Sequence, residues 1–222
     1  MNVSEALLKR QSTRAFLPRD VSRETILEIL DLAKRAPSGA NTQPWSVAVV
    51  TDVAKTRVEK VLLEAFESGR EEEADYTYYP TEWKEPFLQR RRTCGHQLYQ
   101  SLNIQREDKE SRRKQWAENY RAFRAPVLLL FLLDSSLATG SFMDTGMFLQ
   151  SIMLLAVERG LATCPQAAFA EYPQTLRRTL EIPENQVVVC GMALGYPDPD
   201  HPINQYRTER EPASAFTRFF DS

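Results

Sequence analysis

Two short, unbroken apolar runs constrain the fold of this 222-residue chain more than any other feature. Val127–Leu133 reads Val-Leu-Leu-Leu-Phe-Leu-Leu, and Val187–Leu194 reads Val-Val-Val-Cys-Gly-Met-Ala-Leu. Both fall far short of the ~20 residues that a helix needs to span a bilayer. They are predicted as buried strands, with Pro126 opening the first of them, where its missing N–H costs no ladder bond. Between them, Phe142–Arg159 is predicted as a long helix. Gly146, Met147, Leu149, Gln150, Met153, Leu154 and Val157 spread around it almost completely. Such a helix is central to the fold or lies at a subunit interface.

The remaining elements follow from periodicity and punctuation. A first helix is predicted over Val3–Arg10. A second starts at the N-cap Ser22, carries Ile26, Leu27, Leu30 and Ala33 at helical spacing, and ends before Pro37. Trp45–Thr51 is a strand. Asp52 is read as the cap of a helix that runs to about Ser68 and stops at Gly69. From Arg70 to Glu85 the periodicity breaks, with acidic Glu71–Glu73 followed by Tyr76, Tyr78, Tyr79 and Trp83. That segment is either a solvated loop with its aromatics folded back or the edge of a pocket. Residues 86–124 read as charged helix, Ala162–Phe169 as loop or strand, and Pro173–Leu180 as a short helix. A polar, proline-rich tail from Asp198 ends in Phe216, Phe219 and Phe220, which need a surface to cover. No repeat or linker breaks the chain, so a single α+β domain over 1–222 is expected, with 70–125 as its variable region.

Several function classes are set aside at this level. Twenty-eight basic and 30 acidic residues give a formal net charge of −2, and the basic runs are interleaved with acids, so no nucleic-acid partner is expected. Three cysteines and two histidines, widely scattered, predict neither a disulfide framework nor a metal site. The first residues lack a secretory pattern and no run suits a membrane, so a cytoplasmic protein is expected. There is no Gly-x-Ser-x-Gly elbow, and Gly191-x-x-x-Gly195 lies inside a strand, where it marks close packing.

The chemistry-bearing residues gather in two N-terminal segments. Arg10, Ser12 and Arg14 place two guanidinium groups and a hydroxyl at alternate positions. Ala36-Pro37-Ser38-Gly39-Ala40-Asn41-Thr42-Gln43-Pro44-Trp45 is too rich in proline and small polar residues for a core element and builds a fixed polar loop. Guanidinium forks suit a phosphate, and the loop suits a flat polar ring. Arg207 and Arg210 lie near the other end of the sequence.

Arg10-Gln11-Ser12-Thr13-Arg14-Ala15-Phe16 and the Ala36–Trp45 loop together resemble the nitroreductase family of FMN-dependent NAD(P)H oxidoreductases. Gly160–Gln166, Gly191–Pro197 and Arg207-x-x-Arg210 follow in the expected order. Cys164-Pro165-Gln166 is most similar to the nitrobenzoate-reductase branch. The resemblance implies an α+β sandwich, an intertwined homodimer whose central antiparallel sheet is flanked by helices, with the tail 198–222 packed on the partner. It implies that Arg10, Ser12, Arg207 and Arg210 surround the FMN phosphate and that Arg14 lies near the N1/O2 edge of the ring. Pro37, Ser38, Gly39, Asn41 and Gln43 would reach the cofactor from the other subunit. Pro165, Gln166 and Ala167 would lie beside flavin N5, a backbone N–H donating to it. No side-chain acid or base is implied. The expected reaction is ping-pong hydride transfer from NAD(P)H to a nitroaromatic, quinone, enone or halogenated phenol. Trp116, Tyr120 and Phe123 are candidates for the acceptor pocket, although aromatics at helical spacing more often belong to a core. The alternatives are a flavin-storing or regulatory protein with little turnover, or a flavin-fragmenting or dehalogenating member of the same fold.

Overall fold

In the computed structural model, which describes residues 1–221, the two apolar runs lie side by side at the centre of one antiparallel sheet. They form β2 (Val127–Asp134) and β4 (Gln186–Gly195); β1 (Trp45–Val50) and β3 (Ala162–Gln166) are the edges, in the order β1–β2–β4–β3. Continuous apolar character is what burial on both faces demands. Leu128, Leu130 and Leu132 point to one side, against Val58, Leu62 and Ala65 of α3 (Asp52–Glu67) and Leu176 of α7 (Pro173–Leu180). Val127, Leu129, Phe131 and Leu133 point to the other. There they meet Ile26 and Ile29 of α2 (Arg23–Ala33) and Phe148, Ile152 and Ala156 of α6 (Gly140–Glu158). The remaining helices are α1 (Val3–Lys9), α4 (Phe87–Ser101) and α5 (Lys109–Ala117).

Ser22 caps α2 as expected, its side chain accepting from the Thr25 N–H at 3.1 Å. The cap of α3 differs from expectation. Thr51 is the N-cap, and Asp52 is already the first helical residue, with φ at +51°. By composition and length α6 resembles a bilayer-spanning helix (mean hydropathy 1.3). One side of it is nevertheless packed on α2 and the sheet, while Met143 stays 69% exposed and Met147, Leu149 and Leu154 are only half-buried. The helix is apolar on most sides but covered on one.

The glycine pair in β4 is packed against neighbours, as the sequence predicted. A Cβ on Gly191 would stand 2.4 Å from the Phe169 ring, and one on Gly195 would stand 2.6 Å from Pro126 Cδ. Phe169 is fully buried, so it has no room to retreat. Gly191→Ala is therefore expected to destabilise the fold by about 1–3 kcal/mol, the range for overpacking a core. A urea midpoint unchanged from wild type would refute this packing.

The segment 70–86 is more firmly fastened than its composition indicates. Glu72 accepts from the backbone N–H groups of Gln174 (2.8 Å) and Thr175 (3.0 Å), satisfying the first turn of α7. Asp75 pairs with the buried Arg177 at 2.7 Å and accepts from the Val188 N–H at 2.8 Å. Tyr76 Oη donates to the Val189 carbonyl at 2.6 Å, where the β2–β4 register shifts. The acidic cluster is thus not simply solvated. Beyond it, Tyr78 and Tyr79 are about half exposed, and α4 contributes no residue to the core.

Candidate functional site

The site begins with residues 10–16, which run extended along the free edge of β3. Ser12 bridges Thr163, the Thr13 N–H donates to the Thr163 carbonyl at 3.0 Å, and Phe16 bridges Pro197. Extended backbone alternates its side chains. Thr13 and Ala15 are buried, leaving Arg10, Ser12 and Arg14 on the open face. The C-terminal segment then folds over them. Arg207 donates to the carbonyls of Leu8 (2.6 Å) and Lys9 (2.7 Å), satisfying the orphan end of α1. Arg210 donates to Thr208 Oγ1 at 2.7 Å. These segments and α4 enclose a cleft of about 1270 Å³, lined by Arg10, Ser12, Arg14, Tyr206, Arg207 and Arg210 among others.

The electrostatics of this cleft are unusual. Among the described residues, none of Arg10, Arg14, Arg207 and Arg210 has a carboxylate within ion-pair distance. Burial, and then the neighbouring Arg210 and Arg207, hold the Arg10 guanidinium below its ordinary pKa. Glu209 and Glu211 also line the cleft, Glu211 being paired with Arg90 at 3.1 Å, and the four cations left without an ion-pair partner favour an anion in their midst. The buried Tyr206 Oη, in the same wall, has no hydrogen-bond partner.

At the end of β3, Pro165 is exposed and Gln166 buried, with Ala167 between those extremes. The Gln166 amide donates to Asn119 O (2.8 Å) and Oδ1 (3.3 Å), while its own Oε1 is left without a partner. Asn119 belongs to a turn over Glu118–Arg124 in which Ala122, Phe123 and Arg124 are all left-handed (φ 48°, 51° and 62°). That turn sets Phe123 beneath Arg14, whose guanidinium carbon stands 5.9 Å from the ring centroid. Tyr120 and Phe123 lie in the core, Tyr120 donating to Glu171 at 2.7 Å, and Trp116 is 43% exposed. The structure does not gather these three aromatics on the cleft.

The Pro37–Pro44 loop stands elsewhere. Its shape is fixed by left-handed Ala40, Asn41 and Gln43 (φ 49°, 57° and 48°), a conformation that side-chain-bearing residues seldom adopt. The Gly39 N–H donates to Asp144 of α6 at 3.2 Å, and Ser38 Oγ accepts from the Gln43 N–H at 2.9 Å. Ser38 is half-buried, and Pro37, Gly39, Asn41 and Gln43 are exposed. The loop leads into β1, whereas the arginine segment borders β3, at the opposite edge of the sheet. Three strand spacings separate those edges, about 14 Å. Within one chain, the arginines and the loop do not face each other across a shared cleft.

Residues 7–196 match the model of the nitroreductase family. A 4-nitrobenzoate reductase of Pseudomonas putida is 39% identical over 211 residues, 95% of this chain and 92% of that protein. The chain belongs to the nitroreductase family. A nitrobenzene nitroreductase of Ectopseudomonas oleovorans is 38% identical, covering 98% of this chain and 96% of its own. The crystal structure of an FMN- and NADPH-dependent nitroreductase from a Sphigopyxis strain superposes with a TM-score of 0.96 at 38% identity, covering 99% of both chains. An FMN-dependent nitroreductase from Mycobacterium smegmatis, solved with NADPH, gives a TM-score of 0.92 at 31% identity, over 99% of this chain and 100% of the other. The family match stops at residue 196, so in this nitroreductase Arg207 and Arg210 complete the cleft from outside the matched range.

Proposed function

We propose that this chain is an FMN-dependent NAD(P)H oxidoreductase that reduces nitroaromatic acceptors. The observation that carries the reading is a cleft lined by five arginines, of which only Arg90 is paired with a carboxylate, that of Glu211, while Arg10, Arg14, Arg207 and Arg210 are not. Its donor set fits a phosphate monoester, whose charge of nearly −2 is best met by guanidinium groups and a hydroxyl. Arg10, Arg207, Arg210 and Ser12 would hold that phosphate. Arg14, half-buried against Phe123, offers positive charge where electron density accumulates on the bound ring. A backbone N–H near Gln166 and Ala167 would donate to the ring. When bound, FMN supplies the two-electron hydride chemistry linking the nicotinamide to the acceptor. This explains why the chain needs no nucleophile or strong base of its own.

The site is completed by a second copy of the chain. The support is the separation of the Pro37–Pro44 loop from the arginine cleft, with the half-covered apolar face of α6 and the exposed Phe216, Phe219 and Phe220 as surfaces to bury. The loop of one subunit then forms a wall of the other's cleft, and the tail packs on the partner. Three free cysteines suit a reducing, cytoplasmic setting.

The test is direct. Purified protein loaded with FMN is mixed anaerobically with NADPH or NADH, and then with nitrobenzene or 4-nitrobenzoate. Flavin absorbance should bleach with at least one nicotinamide and recover with the acceptor. Sedimentation should give twice the monomer mass. Protein that retains no FMN, or flavin that neither nicotinamide bleaches, would overturn the reading.

A further inference from the structure

Three of the cleft's cations repel one another, yet the tail that carries two of them is held firmly against the third. The fastening comes from Asn204, at the end of the turn Pro202–Asn204. Its Oδ1 accepts from the Arg14 N–H at 2.9 Å. Its Nδ2 donates to the carbonyls of Ala15 (2.9 Å) and Asp198 (2.8 Å). Its own carbonyl accepts from Gln11 Nε2 at 3.1 Å. The amide thus uses its acceptor and both donor hydrogens, all on backbone groups. Arg207, three residues further on, bonds the carbonyls of Leu8 and Lys9. The tail therefore grips the N-terminal segment on both sides of Arg10.

We propose that Asn204 is a positioning residue of the anion cradle. It sets the register between the tail and residues 11–15, and so holds Arg207 and Arg210 against Arg10 before any ligand arrives. Without that clamp, like-charge repulsion spreads the arginines, and an incoming phosphate must gather them again. Preorganisation of this kind appears as affinity. The proposal rests on the FMN reading, and its test separates the two.

The experiment compares FMN with riboflavin, which lacks the phosphate, by fluorescence titration of wild-type and Asn204→Ala protein, with the melting temperature of each apoprotein alongside. Loss of one or two net hydrogen bonds should weaken FMN binding about 10- to 100-fold. Riboflavin affinity should fall at least about threefold less than FMN affinity, since riboflavin never used the phosphate cradle and shares only the ring contact of Arg14, whose N–H Asn204 also holds. Gln11→Leu removes only the bond to the Asn204 carbonyl. It should shift the FMN-to-riboflavin ratio in the same direction by about threefold, and it keeps the test open if Asn204→Ala folds poorly. Parallel loss of both ligands, or unchanged FMN affinity, would overturn the role of Asn204. Wild-type protein that binds neither ligand would instead sink the cofactor assignment.

Discussion

Asp75→Ala is expected to lose about 3–5 kcal/mol of stability, the cost of stranding a buried charge. The Arg177 side chain is only 6% exposed and that of Asp75 only 13%. Their 2.7 Å contact is supported on one side by the Gln186 carbonyl, which accepts from Arg177 at 2.7 Å. On the other side Asp75 accepts from the Val188 N–H. Deleting the carboxylate leaves a buried guanidinium with one neutral acceptor, and its Nε already has no partner. A second change should recover much of the loss. Asp75→Ala combined with Arg177→Met removes both charges, and an apolar replacement for a buried pair is often close to neutral. Denaturant unfolding of the two variants decides the matter. A single variant that costs less than about 1 kcal/mol would mean that water reaches Arg177 and that the pair is not truly buried.

Arg10→Ala should act with opposite signs on the free and the FMN-loaded protein. A charge-assisted hydrogen bond contributes roughly 1.5–3 kcal/mol, so FMN affinity should fall by about 10- to 100-fold. In the free protein the same change removes a cation that burial, Arg210 and Arg207 all disfavour. The melting temperature of the apoprotein should therefore hold or rise, while that of the FMN-loaded protein falls. A variant that retains its flavin through extensive dialysis would take Arg10 out of the phosphate site. Parallel loss of stability in both forms would make Arg10 a structural residue instead.

Much of the fold was legible because it is written in periodicity. Val127–Leu133 and Val187–Leu194 had to be buried strands, and the structure places them at the sheet centre. Arg10, Ser12 and Arg14 were legible because an extended segment exposes alternate residues, and the structure brings them into one cleft with Arg207 and Arg210. Asn204, Glu72 and Asp75 were not legible. Each acts through partners about 100 to 190 residues away, and a lone Asn or acid in a polar stretch carries no periodic signal. Tyr120 and Phe123 lie in the core, as aromatics at that spacing more often do, but the course of the backbone through them was not legible, for a different reason. Their spacing presumes one continuous helix, but α5 ends at Ala117 and the left-handed turn at Ala122–Arg124 redirects Phe123. No amino-acid pattern in Ala122–Arg124, which lacks glycine, announces that turn.

The clamp between residues 11–15 and Asn204 also orders events in time. Gln11 meets the Asn204 carbonyl across 193 positions, so closing this contact joins the beginning of the polypeptide to a late segment. Contacts of such separation carry the largest loop-closure entropy unless the intervening structure has already shortened the path. The sheet and its helices supply that shortcut, which makes the arginine cleft one of the last features to assemble. On the ribosome it has to wait until Arg210 has emerged, whatever has folded before. Flavin capture at the proposed site would then report that the segment carrying Arg207 and Arg210 has joined the N-terminal strand.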